Sequence, residues 1–132
     1  MTQMSTSDKA RFISFEGIDG SGKSTQATLF LDKLIQKGKQ GILVREPGGT
    51  PISEAIRHVL LTKGNRQMVA RTEALLMTAS RSQLTKEVIL PNLKQNRWVI
   101  ADRYADSTLA YQGGGRELNL DWLQDLNKFA TY

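Results

Sequence analysis

Residues 17–24 read Gly17-Ile-Asp-Gly-Ser-Gly-Lys-Ser24, a G-x-x-x-x-G-K-S spacing whose residue types suit the enclosure of a polyphosphate. Glycines let the backbone bend until successive N–H groups point at one anion, and a helix starting near Lys23 adds its partial positive end. Lys23 is expected to reach the β- and γ-phosphates. Ser24 is expected to place its hydroxyl on a magnesium ion bridging them, and Thr25 to cap the helix or touch the α-phosphate. A glycine-rich turn without a ligand would account for the glycines, but not for a lysine and a hydroxyl at those two positions. Phosphate binding alone leaves a GTPase, an ATPase motor, a binding module and a kinase open.

A kinase must also hold an acceptor in line with the γ-phosphate, using polar groups at neighbouring strand ends. Arg45 and Glu46 follow one apolar run, and Asp102 and Arg103 follow another. Arg103 is suited to pair with an acceptor phosphate through its planar fork, and Asp102 to order magnesium or its water shell. The plainer alternative for Asp102 and Arg103 is a local ion pair. For Arg57 and Arg81, taken alone, it is a solvated helix face, and for His58, the single histidine, a surface position.

These groups need elements to position them. Phe12 to Phe15 reads as a strand, followed by the glycine loop and a helix through Leu29, Phe30, Leu34 and Ile35 that Gly38 stops. Ile42 to Val44 is a second strand, and Pro47-Gly-Gly-Thr-Pro51 a turn before a helix carrying Ile52, Ile56, Val59 and Leu60. Gly64 and Asn65 open a loop. Thr72 is the expected N-cap of a long helix reaching Leu90, with Pro91 kinking or ending it. Trp98 to Ala101 is a strand buried on both faces. A short helix is expected from Ser107 to Gln112, a break at Gly113-Gly-Gly115, and a last helix from Leu118 to Phe129. This alternation predicts an α/β fold of P-loop NTPase type, a parallel sheet flanked by helices.

Three motifs, Phe15-Glu-Gly-Ile-Asp-Gly-Ser-Gly-Lys-Ser-Thr25, Arg45-Glu-Pro-Gly-Gly-Thr50 and Asp102-Arg-Tyr104 with Ser107-Thr-Leu-Ala-Tyr-Gln112, together resemble the successive motifs of bacterial thymidylate kinases. Glu73-Ala-Leu-Leu-Met-Thr-Ala-Ser-Arg81 lies between them, and the resemblance runs from about Arg11 to the end. It implies transfer of the ATP γ-phosphate to dTMP, giving dTDP for DNA precursor synthesis, with ATP held by Gly17, Ile18, Asp19, Gly20, Ser21, Gly22, Lys23, Ser24 and Thr25. Lys23, Asp19 and Arg103 would be catalytic. Arg81 would bond the thymine edge, Thr108 and Gln112 would complete base recognition, and Arg57 and Arg103 would take the acceptor phosphate. Asp19 would lie near that phosphate and the sugar, and Tyr111 would pack where a ribose 2′-hydroxyl would have to fit. Glu46 would join Ser24 and Asp102 in the magnesium and water network beside dTMP. Where many relatives stack a phenylalanine on thymine, this sequence has Met77, whose sulfur can cover a ring but which also suits a core.

Ile18, Asp19 and Ser21 include no arginine, so the resemblance implies a class that supplies this charge from a lid beyond Tyr132. Residues 1–10 are expected to be a flexible leader and 11–132 a kinase domain ending before the lid. A polypeptide ending at Tyr132 would then transfer phosphate feebly, since such an arginine contributes roughly 10³- to 10⁵-fold in rate. Relatives are homodimers joined through helices, and the stripe from Thr72 to Leu90 is the expected contributor. The competing readings are another P-loop nucleoside or nucleotide kinase and a non-catalytic nucleotide-binding module.

The 132 residues fit one domain, and 39% apolar with 23% charged residues suits a soluble globular chain. Absence of cysteine excludes disulfides and thiolate metal sites and permits a reduced compartment. Met1 to Arg11 does not read as a secretory signal, and nothing approaches the roughly 18 consecutive apolar residues of a membrane span, so a cytoplasmic protein is expected. The net charge of +5 is spread along the chain without aromatic interleaving, which argues against nucleic acid as a partner.

Overall fold

A run such as Trp98-Val-Ile-Ala101 leaves no side of a strand for water and calls for cover on both faces. The computed structural model, which describes residues 9–16, 22–102 and 119–132, places this run at the centre of a sheet. The strands are β1 (Phe12–Phe15), β2 (Gly41–Arg45) and β3 (Trp98–Asp102), all parallel in the order β1-β3-β2. The helices are α1 (Lys23–Gln36), α2 (Pro51–Leu61), α3 (Ala70–Leu84), α4 (Leu90–Lys94) and α5 (Leu120–Thr131), with a π-helical turn, Thr85–Ile89, between α3 and α4. Val99, Ile100 and Ala101 are fully buried. Val99 and Ala101 join Val44, Leu84 and Ile89 in one core cluster. Ile100, one residue out of phase, faces the opposite side. The expected α/β architecture is therefore the observed one.

The structure revises one helix start and decides between the two readings left open at Pro91. Thr72 does not cap its helix: α3 starts two residues earlier, after Val69, with no side-chain cap, and Glu73 N–H donates to Val69 O at 3.1 Å. Ala70 is a good helix former and α3 packs along α2, so helix propensity and tertiary contact outweigh a cap. Pro91 does not end the helical path either. Leu90 N–H reaches back five residues to Thr85 O, and this wider turn admits the proline ring as the first turn of α4. The last helix begins as expected within two residues, with Asn119 Oδ1 accepting from Trp122 N–H at 3.0 Å. The expected helix over 107–112 and the glycines 113–115 lie outside the described residues.

The turn between β2 and α2 is held against α3. Gly48 N–H donates to Ser80 Oγ at 3.1 Å, and Ser53 Oγ donates to Ser80 O at 2.8 Å. Thr50 caps α2 by accepting from Ser53 N–H at 3.0 Å. Gly49 has φ +94°, and a Cβ there would stand 2.7 Å from Leu84 Cδ1 in the core. Gly49→Ala is therefore expected to cost about 2–4 kcal/mol from left-handed backbone and overpacking together. Urea unfolding measures it, and a loss below about 0.5 kcal/mol would contradict this packing account.

Candidate active site

In a parallel sheet the carboxyl ends of the strands share one edge, and here the register aligns Phe15, Asp102 and Arg45 along it. Glu46 continues this row, its N–H donating to Asp102 O at 3.0 Å. Two polar assemblies occupy this edge.

The first lies at the start of α1. Gly22 takes the left-handed conformation, φ 83°, and leads directly into a helix with no side-chain cap and no acidic residue in its first turn. By contrast, α2 and α5 are capped and carry Glu54 and Asp121 in their first turns. Among the described residues α1 thus has neither a side-chain cap nor an acidic residue of its own in its first turn. Two residues after Gly22, Ser24 Oγ donates a hydrogen bond to Asp102 Oδ2. The two residues lie 78 positions apart in sequence, and the sheet order brings them together. A hydroxyl and a carboxylate are hard oxygen donors, and no group of three or more His, Cys, Asp or Glu forms a metal cage among the described residues. That donor set fits magnesium, which is held by few protein groups and completes its shell with water and phosphate.

The second assembly surrounds the β2–α2 turn, whose Glu46–Pro47 peptide is cis. Arg81, from α3, lays Nε against Glu46 Oε2 at 2.8 Å, with the two side chains only 6% and 2% exposed. Its Nη1 donates to Asn127 Oδ1 on α5 at 2.6 Å. Its Nη2 is buried and has no hydrogen-bond partner among the described residues. Arg57 reaches the same turn from α2, Nη1 donating to Pro47 O at 2.9 Å. Met77 is half-buried one helical turn before Arg81 on α3, so the two point to one face.

Of the expected site residues, Ser24 and Asp102 are thus brought together, as are Glu46, Arg57 and Arg81. Lys23 opens α1 and Thr25 lies exposed in its first turn. Gly17, Ile18, Asp19, Gly20, Ser21, Arg103, Thr108, Tyr111 and Gln112 lie outside the described residues. The sequence reading missed Asn127, whose signal was a polar residue in the stripe Leu123, Asn127, Ala130, at i, i+4 and i+7. It also missed Glu54, which accepts from Gly49 N–H at 2.9 Å and pairs with Arg45 Nη2 at 3.2 Å.

The Gly49 N–H, assisted by the charge of Arg45, holds the Glu54 carboxyl below its ordinary value of 4.5. The folded chain then binds this proton less readily than the unfolded chain, so the contribution to stability is present above about pH 4.5 and disappears as pH falls through the lowered value. The side chain is 42% exposed, so water screens the effect and keeps it small. Glu54→Gln should be slightly less stable than wild type near about pH 6, and the gap should shrink as pH falls below about 4.5, by denaturant titration. A gap that persists in acid would assign the effect to packing.

A parallel sheet with the β1–α1 phosphate-loop sequence and a helix serine bonded to the aspartate ending its central strand defines a P-loop nucleotide-binding fold. Within that class the chain belongs to the thymidylate kinase family, whose sequence model matches residues 15–132. It is 55% identical to the thymidylate kinase of Thermosipho melanesiensis over 120 residues, 91% of this chain and 59% of that protein. It is 54% identical to that of Herpetosiphon aurantiacus over 120 residues, 91% and 51% of the two chains. The crystal structure of thymidylate kinase from Ehrlichia chaffeensis superposes with a TM-score of 0.83 at 38% identity, covering 92% of this chain and 68% of that one. The chain therefore spans about half to three-fifths of the length of these curated relatives.

Proposed function

We propose that the chain carries the triphosphate-binding and acceptor-reading parts of a dTMP kinase, which transfers the γ-phosphate of ATP to dTMP and releases ADP and dTDP. The observation that carries this reading is the pairing of assemblies on one sheet edge, Ser24 with Asp102 and Arg81 with Glu46, joined by the hydrogen bond from Glu46 N–H to Asp102 O. In this reading residues 17–25 bind ATP, and Lys23 neutralises phosphate charge. Arg81 reads thymine with Thr108, Gln112 and Met77. Arg57 and Arg103 hold the acceptor phosphate, Asp19 lies between the phosphates and the sugar, and Tyr111 selects deoxyribose. Ser24 and Asp102 would hold magnesium, with Glu46 nearby through water, and the ion when bound supplies charge neutralisation to the phosphates. The acceptor is already a phosphate anion, so the residues position and neutralise, with no need for a general base.

The proposal extends to residues 11–132 as part of a kinase domain whose lid arginine lies beyond Tyr132, and to a cytoplasmic homodimer. Among the described residues no helix is long and apolar enough to cross a membrane. Within the stripe from Thr72 to Leu90, Leu84 and Ile89 are buried in the chain's own core, whereas Leu75 and Leu90 are exposed. Leu75 of α3, Val59 of α2 and Val69 just before α3 are exposed and would be available for contact between copies.

Thermal melting with saturating dTMP, dUMP, dCMP and thymidine tests the acceptor. The largest rise is expected with dTMP, about 2.7 kcal/mol at a hundredfold excess over Kd. Equal rises with dCMP would indicate another monophosphate kinase. No rise with any of them, combined with salt-sensitive DNA binding, would indicate a nucleic-acid-binding module.

A further inference from the structure

Arg81 is held from two sides. Glu46, on the β2–α2 turn, takes Nε, and Asn127, on α5, takes Nη1, at 2.8 and 2.6 Å. A guanidinium is planar, so two contacts on different nitrogens fix both its position and the plane in which the remaining N–H groups lie. The remaining nitrogen, Nη2, is buried and has no partner among the described residues. A buried donor in that condition is costly unless a ligand accepts from it.

Asn127 is half-buried on the face of α5 that packs on α3. It shares one face of α5 with Leu123 and Ala130, 4% and 0% exposed, and that face packs on α3. Arginine offers only donors, so the contact needs an acceptor at residue 127, which an aliphatic side chain lacks. We infer that Asn127 is a positioning residue for nucleobase recognition: it sets the plane of the Arg81 guanidinium so that Nη2 faces an acceptor on the pyrimidine edge. This inference rests on the reading of Arg81 as the base-binding residue. It assigns to α5 a part in acceptor selection that none of the three motifs contains.

The test compares the chain with Asn127→Leu, Asn127→Ala and Asn127→Asp, using ligand-observed NMR titration with dTMP and with 2-deoxyribose 5-phosphate, which keeps the sugar and phosphate but has no base. Loss of a hydrogen bond to a charged group predicts that the Leu and Ala variants bind dTMP about tenfold or more weakly. Their affinity for 2-deoxyribose 5-phosphate stays within about twofold, because only base reading is disturbed. Asn127→Asp keeps the acceptor oxygen and binds dTMP within about threefold of wild type. The alanine variant adds no bulk and guards against a leucine variant that does not fold.

Unchanged dTMP affinity in the Leu and Ala variants overturns the inference while leaving the thymidylate reading intact. Equal losses for both ligands also overturn it, since they mark a purely structural role. A wild-type chain that binds 2-deoxyribose 5-phosphate as well as dTMP overturns both readings, because then no base is being read.

Discussion

Lys23→Ala is expected to abolish the rise in melting temperature that ATP-magnesium produces, while the rise with dTMP is retained. The argument starts from Gly22, whose left-handed φ of 83° turns the chain into α1 at Lys23. That helix has neither a capping side chain nor an early carboxylate to occupy its positive end. Main-chain N–H groups can orient a polyphosphate there, but they carry only partial charge. In the proposed function the ammonium group at position 23 of a G-x-x-x-x-G-K-S loop would supply the full charge a triphosphate requires. Removing one preorganised donor from such a site typically costs roughly 10²- to 10³-fold. At an ATP concentration a hundred times the wild-type Kd, a hundredfold weaker variant would retain about 0.4 of about 2.7 kcal/mol of ligand stabilisation. In the proposed function the dTMP response would depend on Arg81, Arg57 and their neighbours, and it is expected to survive. A wild-type ATP response in the variant would remove Lys23 from the site, and simultaneous loss of both responses would point to a disturbed fold.

Glu46→Leu is expected to lower the melting temperature on the order of 10–20 °C, because it leaves the Arg81 guanidinium buried without its carboxylate. Both side chains are almost fully enclosed, at 6% and 2% exposure, so solvent cannot take the place of the missing charge. Breaking one member of such a pair costs about 3–5 kcal/mol, a large share of the roughly 5–15 kcal/mol that holds a domain folded. Replacing both, as Glu46→Leu with Arg81→Met, should recover most of that stability, since apolar groups of similar size often substitute for a buried ion pair at little cost. The double variant should still fail to respond to dTMP. Recovery of stability without recovery of binding would show that the pair is retained for recognition. A single Glu46→Leu variant within about 1 kcal/mol of wild type would contradict the buried-pair account.

The two predictions draw on different kinds of information. Lys23 was proposed from its neighbours in sequence alone: the glycines, the lysine and the hydroxyl stand within eight consecutive positions, 17–24. The Arg81 environment was not legible in the same way. By residue type alone, an arginine on a helix reads as solvated, and only the resemblance to a family assigned it to thymine. In the structure Arg81 lies within the protein, 35 residues from Glu46 and 46 from Asn127. No spacing rule connects positions on a turn and two separate helices.

Local sequence alone determined the three strands, the phosphate-loop motif, the turn over 47–51 and the parallel class of the sheet, since apolar period and glycine conformation act over a few residues. It erred at Thr72 and left Pro91 open between kinking and ending the helix, where packing of α3 against α2 and a widened turn overrode local preference. The tertiary structure decided that Ser24 meets Asp102, that Glu46 and Asn127 hold Arg81 from opposite sides, and that Glu54 clips the turn to Arg45. These contacts follow from the order β1-β3-β2 and from which helix covers which face. Burial of the whole core selects that arrangement, and no short segment contains it.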